Sequence, residues 1–163
     1  MPMNYHMRRK DKEITDESVM KKILKTAKYI TLALSKDDTP YIVTLSHGYD
    51  EEGHCIYFHC AGEGKKLDYM RANNLVWGQA LLDHGYVEIE CSHNYVTVVF
   101  SGRVTFLEGL DDKWRALSLM TRQLDVNAEK IIANRKPESL RNTVVGRIDI
   151  DYMSGKKSQE VEV

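Results

Sequence analysis

The stretch with the most chemical potential runs Tyr57-Phe58-His59-Cys60-Ala61-Gly62-Glu63-Gly64-Lys65-Lys66-Leu67. A strand-like run leads into a glycine-bearing turn, which opens a helix headed by two lysines. Lysine at a helix N-terminus faces the positive end of the dipole, at a cost of ~0.3–1 kcal/mol when exposed. An anion there reverses the sign, because free backbone N–H groups, the dipole and both ammonium groups favour a phosphate. The pattern is therefore a candidate phosphate cradle. It equally fits a solvated helix start whose glycines serve only the turn, and Gly62-x-Gly64 lacks the third glycine of a dinucleotide fingerprint. His59, at the strand's end before the turn, can donate to a ligand or transfer a proton; a hydrogen-bonded structural histidine is the other reading.

The cluster His54, Cys55, His59 and Cys60 invites a metal reading that strand geometry opposes. Side chains alternate faces, so His54 and Cys60 share one face ~20 Å apart and Cys55 and His59 the other ~13 Å apart. Zinc ligands converge at about 2.0–2.3 Å from one ion, so no metal site is expected. His47, His84 and His93 have no partners at telling spacing, and Cys60 and Cys91 read as small buried hydrophobes. Arg8-Arg9-Lys10 can reach an anion or form a solvated basic arm. Trp77 and Trp114 read as core or interface residues.

These residues sit in a chain of 163 residues with 42% hydrophobic and 29% charged residues and a net charge of -1. That length fits one domain with its own core. The balance offers no global basic field for nucleic acid, and no apolar run nears the ~18 residues a membrane helix needs. The charged N-terminal segment lacks an apolar stretch after it, unlike a signal peptide. Three cysteines without framework spacing point to a reducing cytoplasm.

The elements that position the chemistry follow from periodicity. The first seven residues carry no pattern and are expected to lack order, within a partly ordered arm over 1–13. Thr15 suits an N-cap, with Val19, Ile23, Leu24 and Ala27 on one helical face and Ile14–Val19 as a staple. Ile30–Leu34, Tyr41–Tyr49 and Cys55–His59 read as an antiparallel meander, with Tyr41, Val43 and Leu45 on one face. A short helix spans about 65–73, then a strand 75–82. Over 95–107, Val96, Val98, Phe100, Val104 and Phe106 face one way and Thr97, Ser101, Arg103 and Thr105 the other, with Gly102 a bend or bulge. Asp111 or Asp112 caps a further helix, a shorter one follows near 128–134, and a last strand from Val144 ends at Ser154-Gly155. The expectation is one α+β domain over 1–163, a mainly antiparallel split β-barrel of about six strands with flanking helices, since closure removes exposed edges.

Taken in order, several blocks resemble the pyridoxamine 5'-phosphate oxidase-like flavin proteins, in particular the nitroimidazole-resistance (Nim) group. The blocks are Met7-Arg8-Arg9-Lys10-Asp11, Pro40-Tyr41-Ile42-Val43-Thr44-Leu45, Tyr57–Ala61 with Gly64-Lys65-Lys66-Leu67, Val98–Val104 and Ser154-Gly155-Lys156. The resemblance implies a split-barrel homodimer with two FMN sites at the interface. It implies that Val43, Thr44 and Leu45 run along the isoalloxazine edge, and that His59, Ala61, Gly64 and Lys66, with Lys65 beside them, lie by the phosphate and ribityl chain. His59 matches a histidine tied to the reactive face in the Nim branch. Gly155 and Lys156 approach the flavin, from the partner subunit in one arrangement. Thr44 stands where Nim-like relatives often have Pro, and Ser46 where they often have Asn, so their substrate does not carry over. The arginine-rich pocket of a true pyridoxamine phosphate oxidase is not evident, so vitamin B6 synthesis is not assigned. The function expected is an FMN-dependent oxidoreductase with a small-molecule electron acceptor. A non-catalytic flavin store or sensor, or the same fold holding haem or a deazaflavin, are the alternatives.

Overall fold

In the computed structural model, which describes residues 7–163, the chain opens with a 3-10 turn (Lys10–Lys12), strand β1 (Glu13–Ile14) and helix α1 (Glu17–Thr26). The expectation of disorder at the first residues thus falls, except for Met7, outside the described residues. Asp16, not Thr15, caps α1: its carboxylate accepts from the Ser18 N–H at 2.8 Å and the Ser18 hydroxyl at 2.7 Å. Helix α1 buries Met20, Ile23 and Leu24.

The meander then follows as β2 (Tyr29–Lys36), β3 (Thr39–Ser46), β4 (Gly48–Asp50) and β5 (Cys55–Cys60). The single strand expected over 41–49 is divided at His47, which is fully buried with Nε2 2.8 Å from the Leu24 carbonyl. The Gln123 amide donates to the Leu24 and Ala27 carbonyls, and its oxygen accepts from the Tyr49 N–H. This plug turns the chain from one edge of the sheet to the other. Helix α2 (Lys65–Ala72) follows, then the long hairpin β6 (Leu75–Val87) and β7 (Ser92–Phe106). The hairpin runs past Leu82 because the register shifts between Asp83 and Tyr86, where Gly85 takes φ +92°.

Helices α3 (Leu110–Leu124) and α4 (Ala128–Ala133), a 3-10 turn (Pro137–Leu140) and β8 (Val144–Lys157) complete the chain. The N-cap of α3 is Gly109, leaving Asp111 and Asp112 in the first turn, where their charge suits the dipole.

The eight strands form one sheet in the order β3-β2-β6-β7-β8-β5-β4, with β1 on β8. Every pairing is antiparallel. The sheet curls without a closing ladder, so the α+β split-barrel expectation holds. The strand number rises from about six to eight through short β1 and the division at His47. The expected bulge at Gly102 is present, with the register against β8 shifting between Ser101 and Gly102. The interior is one apolar cluster including Ile23, Leu32, Phe58, Val76, Phe100 and Ile148; a smaller one, Cys55, Tyr57, Ala116, Met120 and Val145, lies beneath α3. No helix among the described residues is long and apolar enough to cross a membrane.

Candidate functional site

The strand–turn–helix corner forms as its residue types require. Gly64 is the N-cap of α2 at φ +133°, ψ 164°, a region L side chains rarely adopt. Its carbonyl accepts from the Leu67 and Asp68 N–H groups at 3.0 and 3.2 Å. The amides of Lys65 and Lys66 meet no acceptor among the described residues, and no side chain caps the helix. At Gly62 the φ is ordinary, yet nothing lies within 4 Å of where a Cβ would stand. Packing within the chain does not account for that missing side chain.

The two lysines divide their work. The Lys65 ammonium lies over the Tyr41 ring at 4.5 Å and near the Tyr69 ring at 5.5 Å, the rings being 5.3 Å apart. This cation–π contact ties the head of α2 to β3. The charges of Lys66 and Arg71 act to lower the Cys60 thiol pKa, although burial dominates and raises it. Cys60 packs on the main core, as do Tyr41, Val43 and Leu45 of β3. The cradle and β3 thus share one corner, joined by Tyr41 and Tyr69, which lie far apart in sequence and carry no site signal there.

Strand β3 is the sheet's outer edge, so alternate residues present N–H and C=O groups unpaired. Val43 and Leu45 turn half-buried side chains inward, while Thr44 and Ser46 are exposed on the outer face. Thr44 Oγ1 lies 3.2 Å from Thr31 Oγ1, a cross-strand hydrogen bond that gives Thr44 a structural use.

His59 does not join the lysines on one face. It pairs with Val145 and points to the face opposite Cys60, toward the helical side of the sheet. Although exposed, it has enough protein around it for burial to lower its pKa, and the Arg135 guanidinium lowers it further. The imidazole is therefore biased toward neutrality, the form that can accept a proton. Arg135 carried no sequence signal: it follows α4, 76 residues downstream.

Gly155 and Lys156 stand apart. Val144 pairs with Cys60, so Gly155 lies 11 residues further along β8, about 36 Å of strand. Gly155 pairs with Ile14 and Val98, and a Cβ there would come within 2.8 Å of Ile14 and Met20. Its evident use in this chain is close packing against β1 and α1. Lys156 pairs with Glu13 and Thr97.

Other candidates resolve simply. Arg9 is bound to Asp11 at 2.6 Å, so its charge is neutralised locally. Cys91 is exposed at φ +47°, contrary to the buried reading, because it lies in the β6–β7 turn. His93 lies 2.7 Å from the Asp83 carboxylate. No group of three metal-ligating side chains converges among the described residues.

Residues 16–157 match the protein family described as pyridoxamine 5'-phosphate oxidase. Among solved structures, a candidate 5-nitroimidazole antibiotic resistance protein from Bacteroides thetaiotaomicron VPI-5482 is 25% identical at a TM-score of 0.75, covering 88% of this chain and 85% of its own. A FAD-binding protein from Mesorhizobium loti is also 25% identical at 0.65, covering 88% and 95%. The flavocytochrome Anf3 from Azotobacter vinelandii reaches 0.80 over 97% of this chain and 74% of its own, at 15% identity, a likeness of fold alone. No curated protein matches the sequence.

Proposed function

The chain belongs to the pyridoxamine 5'-phosphate oxidase family, and from that premise we propose that it binds FMN and acts as an oxidoreductase on a small-molecule electron acceptor. One observation carries the proposal: the bare, lysine-headed start of α2, with unsatisfied amides at Lys65 and Lys66 and open space beside Gly62. The corner supplies one helix N-terminus and two ammonium groups, which suits a single phosphate. The FAD-binding relative supports a flavin, and the candidate nitroimidazole-resistance relative supports a redox use for it.

In this reading Lys65 and Lys66 hold the phosphate, and Ala61 and Gly64 line its approach. The open edge of β3 at Val43, Thr44 and Leu45 supplies backbone groups for the ring. A bound flavin would bring the hydride and electron chemistry, while the protein orients it and excludes water. His59, on the other face, handles protons or a second ligand rather than the phosphate. Gly155 and Lys156 belong to this site only if a second copy brings them, because one chain holds them a strand's length away.

The outer face of the sheet supports that second copy. Tyr29, Ile42, Leu75, Trp77 and Leu81 are exposed there at 55%, 67%, 41%, 39% and 43%. The ladder registers set them on neighbouring strands of that face. The polar row Thr44, Thr31 and Gln79 separates Ile42, Leu75 and Trp77 from Tyr29 and Leu81; exposed apolar groups of this number suit an interaction surface.

Absorbance of the purified protein, with mass spectrometry of the released ligand, tests the cofactor. The two visible bands of a flavin and the mass of FMN are expected; a Soret band or a deazaflavin mass overturns it. Replacing Lys65 and Lys66 with Ala should weaken FMN about ten- to hundredfold for each ammonium removed, since charge-assisted hydrogen bonds are worth ~1.5–3 kcal/mol. Unchanged affinity would put the cradle elsewhere. Bound flavin that no pyridine nucleotide reduces would make the protein a store or sensor.

A further inference from the structure

The lysines of this chain differ in what holds them. Lys21 and Lys25 are paired with Glu17 and Glu51, which offset their charge. Lys28 and Lys113 donate to backbone carbonyls. Lys65 is held by aromatic faces instead: its ammonium stands 4.5 Å from the centre of the Tyr41 ring and 5.5 Å from that of Tyr69. No carboxylate pairs with it among the described residues. The rings lie 5.3 Å apart, tilted by 59°, and both pack on the main core, so the clamp is itself fixed. An aromatic face restrains a cation without neutralising it, whereas a carboxylate does both. Lys65 is otherwise exposed, and without the rings its long side chain would be ordered only when an anion bound. Ordering such a side chain at that moment costs about two- to tenfold in affinity.

We infer that Tyr41 and Tyr69 are positioning residues that set a preference for a phosphorylated flavin over the same flavin without its phosphate. They hold the Lys65 ammonium in place and still charged, so that its ordering precedes binding. Neither ring has to touch the ligand. The inference rests on the flavin reading of the α2 corner and adds to it the two residues that make the corner selective. Tyr41 stands two residues before Val43 on β3, the strand assigned to the flavin ring, so replacing it can disturb the ring seat as well as the lysine. The unphosphorylated flavin reports the first disturbance alone, and the ratio of the two affinities isolates the second.

Titration of the full chain with FMN and with riboflavin, any co-purified flavin first removed, tests it. The parent should bind FMN more tightly. Tyr41→Leu and Tyr69→Leu should each lower the FMN-to-riboflavin affinity ratio about two- to tenfold. Tyr41→Phe and Tyr69→Phe should keep the parent ratio, because the ring face without its hydroxyl still holds the ammonium. In a Lys65→Met background the Leu substitutions should change the ratio no further, a coupling that a purely structural role for the rings would not produce. A ratio unmoved by both Leu variants overturns the inference, as does one lowered equally by Phe and Leu, or one that still falls without Lys65. Each of those results leaves the phosphate seat to be decided by the Lys65→Ala/Lys66→Ala protein. A parent that binds neither flavin ends both readings.

Discussion

The two histidines that matter most differ in what surrounds them. His47 is fully buried, with Nε2 on the Leu24 carbonyl and Nδ1 unpartnered, and burial lowers its pKa. A group whose folded pKa is depressed binds protons more readily when unfolded. Its stabilising effect is therefore complete above the unfolded value of ~6.5 and is lost as pH falls toward the folded value. Urea midpoints should drop between pH 7.5 and 5.5, and His47→Gln should flatten that dependence. A parallel slope in the variant would refute the assignment. The shifted carboxylates act in a separate, more acidic window, because their lowered pKa values start from ordinary values near 4. His59 is depressed by burial first and by Arg135 second. Arg135→Gln should accordingly raise the His59 pKa part of the way to its ordinary value, as read by an NMR titration of its ring protons.

At the scale of elements, glycine sets where strands can approach. A Cβ at Gly102 would stand 2.1 Å from the Asp149 carbonyl oxygen, a backbone atom that cannot swing aside. Gly102→Ala should destabilise by about 3 kcal/mol, at the upper end of overpacking costs, in a urea melt with unchanged slope. Loss under 1 kcal/mol would mean the β7–β8 bulge adjusts freely. That bulge was legible in the sequence, as was the alternation of β7, because a single residue type or a strict period carried each. The strand–turn–helix corner was legible for the same reason: glycines and lysines declare it locally. The division of the chain at His47 was not, since Leu24 and Gln123 create it from either side in sequence. Nor was the Lys65 stack on Tyr41 and Tyr69, which requires β3 to curl over the head of α2. Alternation placed His59 at a strand end on the face opposite Cys60, but not the nearby charge of Arg135, 76 residues downstream, which only the fold brings there.

For the whole molecule, the exposed apolar outer face is the feature that bears on assembly. Light scattering should report a dimer at micromolar concentration, and Trp77→Glu with Leu81→Glu should shift it to monomer, since charges in an apolar contact are costly. A monomeric parent would leave that face without its occupant and Lys156 without a role at the flavin. Strand β8 gives the pair a further property. One end of it borders the phosphate corner through Cys60, and the other carries Gly155 and Lys156. In a two-fold pair, the same stiff ribbon would then belong to both cavities, each copy lending its far end to its neighbour. Filling the first cavity would brace half the walls of the second, so successive flavins would bind with unequal affinities, and a half-loaded molecule would be a distinct species rather than a midpoint.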